Sequence, residues 1–517
     1  MLTFRATVFL AAVLPLAAAI TQPVQVDEGL LTEVAPTSSG VLVFKGIPFA
    51  APPVGDLRWR APKAPAKWGA ARDASTFAPV CMQRRPGNAE GAMSEDCLYL
   101  NVYTAAKSAK DRHPVMVWIH GGALVSGAGS LYNGEALAQK GVVVVTINYR
   151  LGLFGFFAHP ELTKESDRNA SGNYGLLDQI AALEWVQKNI AAFGGDAKRV
   201  TIFGESAGSW SVNYLTASPL AHGLFQRAIG ESGGEFEPAR KLAEMEQAGV
   251  KLGQAQGAST LSALRAKSAE DLMKASGFAT AANVDGWFLP EDVYTIYSKG
   301  KQNDVPTIIG SNSDEGTMFT PPSTTAASFR ELAAKRYGPD AEAFLKLYPF
   351  NSDKEAWVAQ AASMRDQTFG WEMRTWARMQ TKTGKSKVYL YYFSHVPAGK
   401  NRVPGAYHGS EIPYVFGNLQ IAPFAMTGNE SEPRPWQDID HKLADVMSSY
   451  WVDVAASGDP NGKGLPKWPA FRTASDELLS LGDEIAVKPV PQKEALDFLD
   501  AYFDRQRKSS DAARASK

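Results

Sequence analysis

The chain has 517 residues, of which 45% are hydrophobic and 21% are charged, a composition typical of a large globular protein. It contains 53 Lys and Arg residues against 54 Asp and Glu residues, so its formal net charge is −1. This balance points neither to a nucleic-acid partner nor to an anionic membrane surface, since both favour basic proteins.

The first 19 residues have the pattern of a secretory signal peptide. Arg5 supplies a positive charge, residues 6–16 form an apolar run, and residues 17–19 are three alanines suited to cleavage. The apolar run is too short and too rich in Ala for a membrane span. We expect residues 1–19 to be removed and the mature chain, starting at Ile20, to be secreted or periplasmic.

The chain has two cysteines, Cys81 and Cys97, which lie close together in the sequence. In an oxidising compartment such a pair is expected to form one disulfide. The alternative is two unrelated buried thiols. A zinc site is not expected, because two cysteines with no nearby His supply at most half of its ligands.

The middle of the chain repeats one pattern, a short apolar run that stops at a loop. The runs are PVMVWIHGG (114–122), GVVVVTINYR (141–150), RVTIFGESAG (199–208), FQRAIGESGG (225–234), VPTIIGSNSDEG (305–316) and KVYLYYFSH (387–395). Uninterrupted apolar runs predict strands buried on both faces, and stretches such as residues 176–193 have helical spacing between them. The alternation predicts an α/β fold with a mainly parallel central sheet, helices on both faces, and ligands at the carboxyl ends of the strands.

Two of these runs end in the pattern G-x-S-x-G, which holds a nucleophilic serine on a tight turn between a strand and a helix. An apolar, helix-compatible stretch follows Ser206 up to Pro219. Two glycines, two glutamates and Pro238 follow Ser232 within six residues, and each Gly costs a helix roughly 1 kcal/mol. Ser206 is therefore predicted to be the nucleophile.

A serine nucleophile needs a base and an orienting acid. Among the seven histidines, His395 ends a predicted strand and His408 lies in a Gly-flanked loop, so spacing alone leaves both as candidate bases. Asp314 and Glu315 both follow a strand, which leaves the acid open as well. Upstream, His120 is followed by glycines whose backbone N–H groups could face an oxyanion.

Two longer motifs make the sequence resemble the type-B carboxylesterases, a family that includes the cholinesterases and has the α/β-hydrolase fold. FGGDAKRVTIFGESAG (193–208) is similar to the nucleophile signature of the family, and EDCLYLNVY (95–103) is similar to its second signature. The resemblance extends from residue 44 to residue 461, nearly the whole mature chain.

The resemblance implies a role for each residue that matches a family motif. Ser206 would be the nucleophile, Glu315 the acid and His408 the base. The other implied positions are an oxyanion hole formed by the N–H groups of Gly122, Ala123 and Ala207, supporting residues Ser232 and Glu205 beside the triad, and Cys97 as one half of a disulfide.

The sequence also departs from the family pattern. Ala123 stands where the family often has a third glycine, and we expect little loss because the backbone N–H binds the oxyanion. In the choline-specific members of the family that the sequence resembles, an aromatic residue of the loop that matches Cys81 to Cys97 supplies the cation–π face for the quaternary ammonium; this loop contains no aromatic residue, and the resemblance therefore argues against choline esters. Arg84 and Arg85 occupy this loop, either as a solvated pair or as a rim that favours anionic substrates.

We therefore expect a serine carboxylesterase that hydrolyses carboxylic esters through an acyl-enzyme, without cofactor or metal. Residues 20–505 would form one catalytic domain, with a helical and loop insertion at about 235–390 that forms part of the pocket, and residues 506–517 a polar tail. Alternatives are a carbamate or amide hydrolase, a lipase, or a non-catalytic binding protein. Candidate pocket aromatics, each more typical of the core, are Trp287, Phe288, Phe319, Phe369 and Trp371.

Overall fold

The structure is a computed structural model and describes residues 20–83, 92–275, 280–396, 403–421 and 436–515. Residues 1–19, with the expected signal peptide, and Arg84 and Arg85 lie outside the described residues.

The described chain contains sixteen β-strands. They are β1 (Val24–Val26), β2 (Gly29–Leu31), β3 (Leu42–Pro48), β4 (Val80–Cys81), β5 (Met93–Ser94), β6 (Tyr99–Thr104), β7 (His113–Ile119), β8 (Val143–Ile147), β9 (Gly195–Glu205), β10 (Arg227–Glu231), β11 (Arg240–Lys241), β12 (Asn283–Val284), β13 (Thr307–Asn312), β14 (Val388–Phe393), β15 (Glu477–Leu481) and β16 (Ile485–Pro489).

The same described ranges contain sixteen α-helices. They are α1 (Glu135–Gln139), α2 (Gly152–Phe156), α3 (Pro160–Glu165), α4 (Tyr174–Asn189), α5 (Ala207–Ala217), α6 (Leu242–Ala255), α7 (Leu261–Arg265), α8 (Ala269–Met273), α9 (Val293–Ser298), α10 (Ala326–Tyr337), α11 (Ala341–Leu347), α12 (Asp353–Arg365), α13 (Trp371–Thr383), α14 (Ile412–Val415), α15 (Asp438–Ser457) and α16 (Lys493–Ala515).

Ten strands form one sheet in the order β16-β15-β14-β13-β10-β9-β7-β8-β6-β3. The strands from β15 to β8 in this order are parallel to one another. The outer strands β16, β6 and β3 join antiparallel. All six apolar runs of the sequence are central strands, which confirms the predicted α/β fold with a mainly parallel sheet.

The sheet is buried on both faces, as its continuous apolar runs require. Alternate residues of β7 point to opposite sides: Val115 and Val117 belong to one hydrophobic cluster, and Met116 and Trp118 belong to another. Helices α4 and α5 contribute to the first cluster, whereas α14 and α15 contribute to the second. Because these strands are parallel, their carboxyl ends lie together at one edge of the sheet, where the loops that follow them meet.

Two expected boundaries differ from the structure. The insertion expected over residues 235–390 is interrupted by β13, which lies inside the central sheet between β10 and β14. Helix α16 runs through residues 506–515, which were expected to form a polar tail, and the guanidinium of Arg507 lies 3.7 Å from the ring centre of Tyr294. Within the described ranges, no helix is both long and apolar enough to cross a membrane.

Candidate active site

The two G-x-S-x-G motifs lie side by side at the carboxyl edge of the sheet. Strands β9 and β10 are parallel neighbours, with Gly204 paired to Gly230 and Glu205 paired to Glu231. Ser206 and Ser232 each come directly after their strand and both adopt a positive φ, 57° and 55°. The same tight turn is thus built twice in register, which explains why the sequence contains the motif twice.

The chain beyond each turn distinguishes the two serines. Helix α5 starts at Ala207, immediately after Ser206, whereas after Ser232 the chain forms no helix until Leu242. Ser206 retains 7% exposure, and Ser232 is fully buried. The hydroxyl of Ser232 donates to Glu315 Oε1 over 2.5 Å. Ser206 therefore has the geometry of a nucleophile elbow, and Ser232 supports the neighbouring acid.

The carboxylate of Glu315 lies at the centre of a buried hydrogen-bond network. Its Oε2 lies 2.6 Å from Nδ1 of His408, and its Oε1 accepts from the backbone N–H of Asn312 over 2.8 Å in addition to the Ser232 hydroxyl. Three hydrogen bonds suit an ionised carboxylate, which only accepts. The network fixes the imidazole through Nδ1.

The far side of the His408 ring faces the serine turn. Nε2 of His408 lies 3.2 Å from Oε1 of Glu205, the residue that precedes Ser206. Gly121 packs against the same place, because a Cβ added to it would lie 2.9 Å from Glu205 Oε2 and 3.1 Å from the Cβ of Ser206. The base candidate, the serine turn and the Gly loop after β7 therefore converge.

The structure separates the alternatives that spacing had left open. His395 does not join this network: its two ring nitrogens lie 2.8 Å from Asp440 and 2.6 Å from Asp483. The carboxylate of Asp314 accepts from the backbone N–H of Ala406 over 3.0 Å. Among the four candidates, His408 and Glu315 lie in hydrogen-bond contact.

The expected oxyanion-hole residues lie in the loop after β7 and at the first residue of α5. Gly122 and Ala123 have φ of 104° and 54°, and in the part of the chain that the structure describes their N–H groups donate to no protein acceptor. The N–H of Ala207 is in the first turn of α5, where intrahelical acceptors are missing. These groups are free to bind an anion.

The loop after β7 is fixed from behind by buried polar contacts. The ring of His120 stacks on Tyr149 at 4.4 Å, and burial lowers its pKa to about 4, so it stays neutral. Gln83 exchanges two 2.8 Å hydrogen bonds with the backbone of Gly127. Gln83 comes two residues after Cys81, and the structure contains the expected Cys81–Cys97 disulfide, so the disulfide lies close in sequence to the side chain that binds this loop.

Three more glutamates surround the network, all fully buried. Burial, and then the charges of neighbouring glutamates, raises the pKa of Glu205 and of Glu231 well above the usual range. For Glu411, burial and then the charge of Glu315 raise the pKa to about 8. Burial and neighbouring like charges both disfavour the ionised form, so each of these three glutamates holds its proton to a higher pH than a free carboxyl group does.

Sequence reasoning missed two members of the network, Glu411 and Asn312. The side-chain amide of Asn312 donates to Glu411 Oε2 and to the backbone oxygen of Tyr407. The sequence signal for Glu411 was an acidic residue three positions after His408, in a stretch that is otherwise small and apolar. Such a stretch is expected to be buried, and a buried acid beside a candidate base is unusual.

The candidate aromatics divide between pocket and core. Phe319 is 43% exposed, and its ring lies 5.1 Å from that of His408; the ring of Phe369 lies 4.8 Å from His408. Phe288 and Trp371 are core residues with no exposure. Trp287 lines a different cavity of about 330 Å³, which none of the triad candidates lines.

The sheet has the strand order of the α/β-hydrolase fold, and Ser206 lies on a nucleophile elbow. An acid and a histidine follow it in the chain, the order typical of serine hydrolases with this fold. The sequence profile of the carboxylesterase family matches residues 25–499. The chain belongs to this family.

Relatives agree with this assignment. The chain is 40% identical over 496 residues to fumonisin B1 esterase of Sphingopyxis macrogoltabida, covering 92% of this chain and 89% of the relative. It is 37% identical to para-nitrobenzyl esterase of Bacillus subtilis (strain 168), covering 89% and 94%. A solved structure of PNB esterase superposes with a TM-score of 0.79 at 35% identity, covering 92% of this chain and 99% of that one. The chain is a carboxylic ester hydrolase.

Proposed function

We propose that Ser206 attacks the ester carbonyl, that His408 is the general base and that Glu315 orients it. The observation that carries this assignment is the buried 2.6 Å contact between Nδ1 of His408 and the carboxylate of Glu315. The other nitrogen of the His408 ring faces the Ser206 turn. No cofactor or metal takes part in the proposed steps.

In the first step His408 takes the Ser206 proton while the hydroxyl oxygen attacks the carbonyl carbon. The N–H groups of Gly122, Ala123 and Ala207 then bind the tetrahedral oxyanion, and each such donor contributes about 10²–10³ in rate. His408 returns the proton to the leaving alcohol, which produces the acyl-enzyme. Water, activated by the same imidazole, releases the acid in the second step.

Glu315 supports these steps through its charge. Its carboxylate holds the proton of the imidazole on Nδ1, so that Nε2 is the nitrogen that accepts the serine proton. The raised pKa values of Glu205, Glu231 and Glu411 disfavour negative charge on these side chains. The imidazolium that forms during each step is therefore stabilised mainly by the carboxylate of Glu315.

The twin motifs supply the test. Hydrolysis of p-nitrophenyl acetate is measured for Ser206→Ala and, as the matched control, for Ser232→Ala. Loss of the nucleophile is expected to lower kcat by at least about 10³-fold. Loss of the Ser232 hydroxyl removes one hydrogen bond to Glu315 and is expected to cost roughly tenfold. Full activity in Ser206→Ala, with inactivity in Ser232→Ala, would overturn the assignment.

We also propose that the chain is exported, with cleavage after Ala19. The charge of Arg5, the apolar run behind it and the disulfide between Cys81 and Cys97 support this location, because disulfides persist in oxidising compartments. The mass of the protein recovered outside the cytoplasm should correspond to a chain that starts at Ile20. An uncleaved chain that stays in the cytoplasm would contradict the proposal.

A further inference from the structure

Asp440, in the first turn of α15, is a fully buried carboxylate that accepts hydrogen bonds from three directions. Its Oδ1 lies 2.8 Å from Nε2 of His395 and accepts from the hydroxyl of Tyr414 over 2.6 Å. Its Oδ2 accepts from the backbone N–H of Gln437 over 2.8 Å. Because one oxygen serves both His395 and Tyr414, the carboxylate joins two distant points of the chain.

These two points bracket the candidate base. His395 comes two residues after the end of β14, and Tyr414 lies in α14. The chain between them carries His408. A single buried carboxylate on a different helix thus holds both ends of the stretch that presents the base.

The ring of His395 lies between two carboxylates. Nδ1 lies 2.6 Å from Oδ1 of Asp483, in the turn between β15 and β16, and Nε2 faces Asp440. Among the residues that the structure describes, the aromatic rings of Phe393 and Tyr414 also lie beside the His395 ring. The ring therefore links Asp440 in α15 to Asp483 in the turn between β15 and β16, and hydrogen bonds to a carboxylate are stronger than those between neutral groups.

The helix that follows His408 is short. Helix α14 spans only Ile412–Val415, and a helix of one turn is not stable by itself. Its position depends on its contacts, among them the bond from the hydroxyl of Tyr414 to Asp440. A shift of α14 would be transmitted to His408, which lies four residues before the helix.

We propose that Asp440 is a positioning residue for ester hydrolysis: by binding His395 and Tyr414 together, it sets the position of His408 relative to Glu315 and the Ser206 turn. The inference rests on the proposed role of His408 as the base. It also gives His395 a supporting role in positioning His408, in place of the role of catalytic base that sequence spacing had left open for it.

The test uses a matched pair at His395, measured with p-nitrophenyl acetate on the mature chain. His395→Gln keeps a donor near the Nε2 position that faces Asp440, whereas His395→Asn keeps one only near Nδ1, towards Asp483. Asp440→Asn and Tyr414→Phe remove the charge and the second donor. Asp483→Asn is the control at the exposed end, where the aspartate side chain is 84% exposed.

The expected results separate positioning from folding. Asp440→Asn and His395→Asn should lower kcat roughly tenfold to hundredfold, as a small misplacement of a catalytic group does, with KM unchanged. His395→Gln and Asp483→Asn should stay near wild type. Each rate is divided by the concentration of active sites, measured as the amount of fluorophosphonate bound once labelling is complete. A loss of folded protein is then not mistaken for a loss of kcat.

Two outcomes would overturn the inference. One is that kcat per labelled site is unchanged in Asp440→Asn. The other is that His395→Gln and His395→Asn lose kcat equally. His408→Ala is measured in parallel: if it keeps full activity, the proposed base is wrong, whereas an inactive His408→Ala with an unchanged Asp440→Asn refutes the positioning role alone.

Discussion

Replacing Glu315 by Gln isolates the charge of the proposed acid. The carboxylate is fully buried, and the substitution keeps its size. One oxygen can still accept from the Asn312 N–H and the Ser232 hydroxyl, while the group 2.6 Å from His408 Nδ1 loses its negative charge. The variant should therefore fold and bind substrate but stabilise the imidazolium poorly.

The geometry sets the size of the effect. With Nδ1 and Oε2 in hydrogen-bond contact, the centres of the two charges lie about 4 Å apart, where opposite charges attract by about 4 kcal/mol at an effective dielectric constant of about 20. Each 1.36 kcal/mol is a factor of about ten in rate. We therefore expect kcat to fall by about 10³-fold in Glu315→Gln, with little change in KM.

The assay is steady-state hydrolysis of p-nitrophenyl acetate, with Asp314→Asn as the neighbouring control. Asp314 accepts from the Ser313 hydroxyl over 2.6 Å and from Ala406 N–H, so its substitution should cost less than about tenfold. If Glu315→Gln stays within tenfold of wild type while Asp314→Asn loses about 10³-fold, the acid is Asp314 and the electrostatic reasoning fails.

Three further predictions concern pH, stability and specificity. Burial raises the pKa of Glu411 to about 8, above its unfolded value near 4.3, so between these pH values the folded state binds a proton that the unfolded state has lost. The free energy of unfolding should therefore fall as pH rises from 5 to 8, by up to about 1.4 kcal/mol per pH unit. Urea unfolding of Glu411→Gln should lack this pH dependence, and equal pH slopes for the variant and the wild type would refute the prediction. Arg150 and Asp178 form a buried ion pair at 2.7 Å, so Asp178→Ala should destabilise the fold by about 3–5 kcal/mol in urea unfolding, and a loss under about 1 kcal/mol would show that the pair is solvated. Acetylthiocholine should be a poor substrate beside an uncharged thioester of similar size, since the Cys81–Cys97 loop has no aromatic residue and a desolvated cation–π contact contributes about 2 kcal/mol; a preference for the choline thioester would contradict this expectation.

The fold was largely predictable because its signal is local. Strands β7, β8, β9, β10, β13 and β14 are continuous apolar runs, and such runs have few structural alternatives. The choice between Ser206 and Ser232 was also local, since it depended on whether a helix could follow. The run that forms β13 was also predicted as a strand, but the expected insertion over residues 235–390 ran across it, because its place in the sheet between β10 and β14 depends on contacts that are distant in sequence.

The site was less predictable because its contacts are distant in sequence. The hydrogen bond between Glu315 and His408 spans 93 residues, and the contact between His395 and Asp440 spans 45. Spacing cannot tell which of two histidines reaches a given acid, because loops decide it; the family resemblance supplied that choice. The raised pKa values of the glutamates around Glu315 were not foreseen either, since a pKa depends on burial and on neighbours that only the fold brings together.

The central claim is that Ser206 is the nucleophile, and the most direct measurement is the intact mass of the protein after reaction with a fluorophosphonate probe, followed by peptide mapping. We predict a single adduct on the peptide that contains Ser206, absent from Ser206→Ala together with esterase activity. An adduct on Ser232, or no adduct on folded wild-type protein, would contradict the account.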